Sequence, residues 1–248
     1  MTVRVGTSGY NYPEWRGSFY PRELKPAGML PYYAERFATV EINNTFYRMP
    51  TPKTVAGWAA QVPETFVFVL KAPQRITHFA RLRDVGEHVR FFCDTALTLG
   101  PRLGPLLFQL PPNFKVDLQR LGDALALLPS TVRAAWEFRH VSWFTEEVYT
   151  LLRARNAALA IVEDEDGATP AVATADWGYF RLRAVEYTDA QLARWAETVR
   201  AVGTAWRDAF VFFKHEEGAT GPALAKRFET ITQAPGPDAT VRDTRAAP

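Results

Sequence analysis

The sequence predicts a single-domain α/β fold, a (β/α)8 barrel, and three observations carry that prediction. Eight short apolar or β-branched runs alternate with amphipathic helical patterns; the units are evenly spaced; and together they fill 248 residues, close to the roughly 250 residues of a typical barrel. Alternation implies parallel strands, which need crossover connections and are apolar almost throughout when covered on both faces. A doubly wound open sheet satisfies the same alternation, and the even spacing favours closure into a ring.

The expected strands are Val3–Thr7, Thr39–Ile42, Phe66–Lys71, Pro105–Gln109, Ala134–Phe138, Ala158–Val162, Tyr179–Leu182 and Phe210–Phe213. Each is bounded by turn residues or charges. Between them, Thr51 is an N-cap with Pro52 at the first helical position, where its missing N–H costs nothing. Asp84 is placed to cap the helix that carries Val89, Phe92, Cys93 and Ala96. Leu118, Leu121, Leu125 and Leu128 recur at spacings of three and four and form one stripe. Thr145 precedes Glu146 and Glu147, which sit in a positive first turn. Thr188 and Gln191 form a capping box, Gly203 stops that helix, and Pro222 opens the last one. One domain over residues 1–233 and a loosely ordered tail over 234–248 follow.

Apolar residues make up 47% and charged residues 23%, enough to bury a sizeable core. Lys and Arg total 29 against 27 Asp and Glu, and a net charge of +2 excludes nucleic-acid binding by bulk charge. The single cysteine, Cys93, excludes an internal disulfide and, among Phe91, Phe92, Ala96 and Leu97, reads as a buried thiol. Apolar runs fall far short of the roughly 20 residues of a membrane span, and no basic-then-apolar leader opens the chain, so a cytoplasmic protein without membrane association is expected. No Gly-x-x-x-x-Gly-Lys run or three-glycine dinucleotide fingerprint is present.

Several blocks then occur in a recognisable order. They are Gly6-Thr7-Ser8-Gly9-Tyr10, Trp15-Arg16-Gly17, Phe19-Tyr20-Pro21, Val40-Glu41-Ile42-Asn43-Asn44-Thr45-Phe46-Tyr47, Lys71-Ala72-Pro73, Ile76-Thr77-His78, Phe108-Gln109-Leu110-Pro111-Pro112 and Glu137-Phe138-Arg139-His140 with Trp143. The chain resembles the YecE-like family, a domain of unknown function. The resemblance implies a (β/α)8 barrel and no established activity. The sequence departs from the family pattern late in the chain. Arg181-Leu182-Arg183-Ala184 stands where relatives carry Arg-Leu-His-Gly, and Phe212-Phe213-Lys214-His215-Glu216 replaces an aromatic strand followed by Asn.

Barrel enzymes place working groups at the carboxyl ends of their strands. Here those ends carry Glu41, Asn43 and Asn44, then Lys71, Gln109, Glu137 with Arg139, Glu163 with Asp164 and Asp166, Arg181 with Arg183, and Lys214, His215 and Glu216. Glu41 and Glu137 are the catalytic candidates, an acid–base pair if their pKa values separate. The alternative is that Lys71 and Arg139 neutralise them. Lys71 can hold a substrate anion, or form a Schiff base if desolvated; nothing adjacent in sequence predicts a depressed pKa, which favours charge balance or anion binding. Arg75, His78, Arg81 and Arg83 make a basic lip suited to phosphate. Tyr10, Tyr12, Trp15, Phe46, Tyr47 and Trp143 can stack on a sugar or base, or simply roof the barrel.

The cofactor is left unknown. A divalent metal among Glu137, Glu163, His215 and Glu216 is only weakly signalled, with no His-Glu-x-x-His motif. The leading expectation is a hydrolase-like enzyme acting on a phosphate-bearing or sugar-like small molecule. The alternatives are nucleic-acid binding without catalysis and a scaffold with a vestigial pocket.

Overall fold

Eight parallel strands follow one another around a barrel: β1 (Thr2–Thr7), β2 (Thr39–Ile42), β3 (Val67–Lys71), β4 (Leu103–Gln109), β5 (Ala134–Glu137), β6 (Ala158–Asp164), β7 (Trp177–Leu182) and β8 (Asp208–Phe213). The structure, a computed structural model, describes residues 1–165, 167–214 and 219–233. The helices are α1 (Pro26–Ala34), α2 (Asn44–Tyr47), α3 (Pro52–Ala59), α4 (Gly86–Leu97), α5 (Leu118–Ala126), α6 (Glu146–Arg153), α7 (Asp189–Val202) and α8 (Thr220–Gln233). A two-residue strand, Gly167–Ala168, folds back antiparallel on the end of β6.

Hydrogen-bonded order runs from β1 through β8, β7, β6, β5, β4 and β3 to β2. The remaining gap, between β1 and β2, is bridged at one point, Ser8 opposite Glu41, with the Gly9 N–H donating to the Glu41 carbonyl at 2.8 Å. Lower in this seam the Tyr33 hydroxyl takes the place of ladder bonds. It accepts from the Thr7 N–H at 2.9 Å and donates to the Thr39 carbonyl at 3.1 Å. Gly6 allows the two strands to meet, because a Cβ there would lie 2.3 Å from the Thr39 carbonyl oxygen.

Side chains alternate along a strand, so every second residue points to the barrel axis. Val67 and Val69, Leu107, Ala135, Ala158 with Ala160 and Val162, Trp177 and Tyr179, and Phe210 with Phe212 form that interior cluster. Alanines from β5 and β6 make room for the rings from β7 and β8, which fills the cylinder without a pore. At its amino-terminal end Arg133 pairs with Asp208 at 2.9 Å, its guanidinium 5.3 Å from the Trp177 ring centre. A larger apolar cluster joins the outer strand faces to the helices.

Thr51 and the Thr188–Gln191 capping box act as expected, and Cys93 is fully buried, its thiol pushed up to about 12 by burial and the Asp94 charge. Other helix ends correct the sequence reading. Asp84 does not cap α4: it has φ of +51°, and Val85 occupies the cap, because the chain reverses through Arg81, Leu82 and Asp84 with positive φ. Gly203 does stop α7 as expected, with a φ of −88°. The last helix begins at Thr220, two residues before Pro222. In the leucine stripe Leu121 and Leu125 are buried while Leu118 is exposed, since α5 presents a narrow face to the barrel. Residues 234–248, with Asp166, His215 and Glu216, lie outside the described residues. Among the described residues no helix is long and apolar enough to cross a membrane.

Candidate functional site

Above the apolar interior, the same alternation turns polar. Glu41 extends the axis-facing row of β2, Lys71 follows Val69, Gln109 follows Leu107, Glu137 follows Ala135, and Arg181 follows Tyr179. Register sets Gln109 directly beside Glu137. These groups are buried: Glu41, Glu137 and Arg181 are 0, 1 and 2% exposed, Gln109 6% and Lys71 8%.

A charged group in such a place requires a partner. Arg181 supplies it for both acids. Its Nη2 donates to Glu41 Oε1 at 2.8 Å and its Nη1 to Glu137 Oε2 at 2.6 Å. The Tyr179 hydroxyl donates to Glu41 Oε2, and Gln109 Nε2 to Glu137 Oε1, each at 2.6 Å. All four carboxylate oxygens are thereby engaged. The counter-ions expected from sequence, Lys71 and Arg139, are not the ones used. Arg139 is exposed, and Lys71 forms no direct ion pair with either acid among the described residues.

Burial pushes both carboxyls up, and Arg181 more than reverses it. Glu41 ends below the usual carboxylate range, helped by the hydrogen bonds from Tyr179 and Arg181. Glu137 is brought to about 2, with Arg183 and Lys71 adding to the effect of Arg181. Tyr179 is raised well above its ordinary value by burial and the Glu41 charge. Lys71 moves the other way, down to about 8, through burial and the Arg181 charge, partly offset by Glu137 and Glu41. Its ammonium sits 4.1 Å from the Phe46 ring centre, and the Thr45 hydroxyl fixes its backbone by donating to the Lys71 carbonyl at 2.6 Å. His78 packs edge-on against the same Phe46 ring at 4.8 Å and is held down to about 4 by burial and by Lys71.

Outside this layer, a 530 Å³ depression between the ends of β5 and β6 is lined by Glu137, Arg139, Val162 and Asp164. The basic lip borders a 770 Å³ depression with His78, Arg81, Arg83 and Arg120. A third, of 880 Å³, runs along Phe46, Tyr47, Arg75, Phe79 and Phe91.

The structure gathers Glu41, Lys71, Gln109, Glu137 and Arg181 into one layer, with His78 reached through Phe46. Arg75, Arg139 and Tyr47 lie on the exposed rim; Asn43 is half-buried before α2 and Asn44 is exposed. Tyr10 is half-buried, its phenol raised by burial. Trp15 and Trp143 are wholly buried packing residues: Trp15 lies among Tyr12, Phe19 and Tyr20, while Trp143 stacks on Phe138 at 4.7 Å and donates to the Phe114 carbonyl. Of the four residues weighed for a metal, Glu137 faces the axis, and Glu163 turns outward to accept from Trp195 Nε1 at 2.6 Å. His215 and Glu216 lie outside the described residues. Among the described residues no three His, Cys, Asp or Glu side chains form a metal-holding group. Tyr179 was not expected; its position two residues before Arg181, on the same strand face, was the available signal.

The match to a family model, "Protein of unknown function DUF72", runs over residues 4–246. The protein named UPF0759 protein YecE of Escherichia coli K12 is 37% identical over 154 residues, 61% of this chain and 54% of that protein. The protein named UPF0759 protein YunF of Bacillus subtilis is 26% identical over 163 residues, 59% of this chain and 54% of that protein. The matched stretch thus spans about half the length of these curated relatives. A crystal structure of a DUF72 family protein from Thermotoga maritima superposes with a TM-score of 0.83 at 28% identity, covering 94% of this chain and all of the other. A DUF72 family protein from Enterococcus faecalis, at 19% identity, shares the fold with a TM-score of 0.77 over 94% of this chain and 98% of that one. A whole-length family match on a barrel of this shape places the chain in the DUF72 family of proteins of unknown function.

Proposed function

We propose that the barrel rim is an active site for a small anionic molecule, one with a phosphate or carboxylate on a polar, sugar-like frame. One observation carries this reading. Arg181 and Lys71 together balance the charge of the two buried carboxylates, and the rim and lip add Arg139, Arg75 and Arg81. A surplus of cations around a partly dry cavity attracts an anion. Glu41 and Glu137 then serve as fixed charges that hold Arg181 in place. A general acid must be protonated near the working pH, and these two ionise well below it. In a hydrolytic reaction the proton-transfer role falls to Lys71, whose pKa is brought down to about 8.

The test is thermal unfolding of the full chain with ribose 5-phosphate against ribose at low ionic strength. A saturable rise in Tm with the phosphate sugar alone is expected, with affinity at least tenfold weaker in Lys71→Met. No shift at millimolar ribose 5-phosphate would sink the reading. A second reading, single-stranded nucleic acid bound without catalysis, draws on exposed Tyr47, Phe79 and Phe91 beside Arg75. It expects binding that weakens steeply with salt and ignores Lys71→Met.

A further inference from the structure

We propose that Lys71 is an imine-forming lysine, whose ε-amine condenses with the carbonyl carbon of an anionic aldehyde or ketone held at the rim. The proposal rests on the anionic-ligand reading above and names the reaction of that site.

Position is the first ground. Of the six lysines, Lys25, Lys53, Lys115 and Lys226 are exposed and Lys214 is half-buried; Lys71 alone is nearly enclosed, at the axis-facing end of β3. Surroundings are the second. An amine attacks a carbonyl only while it is unprotonated, and a carboxylate in direct contact would keep it charged. The nearby acids Glu41 and Glu137 are occupied by Arg181, Tyr179 and Gln109. An aromatic ring, Phe46, covers one side of the nitrogen, and the Arg181 charge presses on it from the clamp. With its pKa down to about 8, roughly a tenth of Lys71 is neutral at pH 7; an ordinary lysine is neutral to less than ~0.1%.

The step balances without a co-reactant. Lysine ammonium gives up a proton; the free amine adds to the C=O carbon and forms a C–N bond. The resulting hydroxyl is protonated, the C–O bond breaks, and water leaves. The sum is ammonium plus carbonyl giving iminium plus water, so the positive charge stays on the same nitrogen. The field of Glu41, Glu137 and the Phe46 face therefore serves product as well as reactant. His78 packs edge-on against the same Phe46 ring and is uncharged at neutral pH, so it adds no positive charge beside the iminium.

The experiment treats the full chain at pH 7.5 (roughly neutral, where exposed lysines stay charged) with glyoxylate or with propanal, each in the presence of cyanoborohydride. Adducts are mapped by peptide mass spectrometry over time. The expected result is carboxymethyl-lysine at position 71, formed at least tenfold faster than at Lys53 and Lys115, and faster with glyoxylate than with propanal at that position. Labelling of Lys71 no faster than of Lys53 and Lys115 with either aldehyde overturns the proposal, while ribose 5-phosphate binding would leave the anion reading standing. Fast labelling of Lys71 by both aldehydes alike supports the imine lysine and removes the preference for anions. The wild-type chain carries these comparisons, so no variant has to fold; Lys71→Arg serves only to confirm the mapped position.

Discussion

Arg181 concentrates the energetics of the rim in one side chain. Its guanidinium is planar, and its two terminal nitrogens reach carboxylates on β2 and β5, 140 and 44 residues away in sequence. Removing one partner of a buried ion pair costs about 3–5 kcal/mol, because the remaining charge is left without solvent or counter-ion. Arg181→Ala leaves two such carboxylates. The unfolding free energy from its urea titration should fall by at least that amount, and Arg181→Lys should recover only part, since one ammonium cannot fork to both acids. A variant as stable as wild type would show that the clamp is not what holds this layer. At this scale the sequence named Arg181 as a ligand contact and Lys71 and Arg139 as counter-ions. Adjacent strand ends suggested those pairings; the guanidinium reached the acids first, across the barrel.

Elements meet least securely at the β1–β2 seam, where one bridge and the Tyr33 hydroxyl do the work of a ladder. Gly6 is a spacing requirement there, not a turn. Gly6→Ala puts a methyl 2.3 Å from the Thr39 carbonyl oxygen, and overpacking of this kind costs about 1–3 kcal/mol. Gly122 in α5 offers the contrast: a Cβ there meets nothing within 4 Å, so Gly122→Ala should stabilise by about 0.5–1 kcal/mol through helix propensity. Calorimetric Tm values moving in opposite directions for these two variants are the expected outcome; equal shifts would remove the seam from the account. The strands themselves were legible, because apolar runs bounded by charges report burial directly. Cap positions were less so: Asp84 has cap chemistry, but the reversal through Arg81 and Leu82 carries it past the helix start.

Over the whole molecule the buried acids impose a pH limit. The Glu137 carboxyl lies at about 2 in the folded chain against 4.5 in its ordinary state, and Glu41 is displaced in the same direction. A lowered folded-state pKa means that the unfolded chain binds the proton more tightly. The stabilisation is therefore complete above about pH 4.5 and is lost as pH falls toward 2, on the order of 3 kcal/mol for Glu137. Unfolding free energies measured between pH 7 and 3 should drop steeply below pH 4.5 in the wild type and less steeply in Glu137→Gln. Parallel curves would show that Glu137 is not ionised by the clamp.

Local chemistry was enough for the strands and helices, and the family resemblance added the expectation of a closed ring. Strand alternation, capping residues and the polarity switch at each strand end are properties of short stretches, and they identified strands whose carboxyl ends carry Glu41, Lys71, Gln109, Glu137 and Arg181. Closure and register decided everything that depends on distance across the ring: that one arginine bridges two acids, that Trp15 and Trp143 pack inward, and that Lys71 is desolvated with no direct counter-ion among the described residues. Charge pairing falls off with separation in space and has no counterpart in separation along a chain, so only the folded ring could assign it.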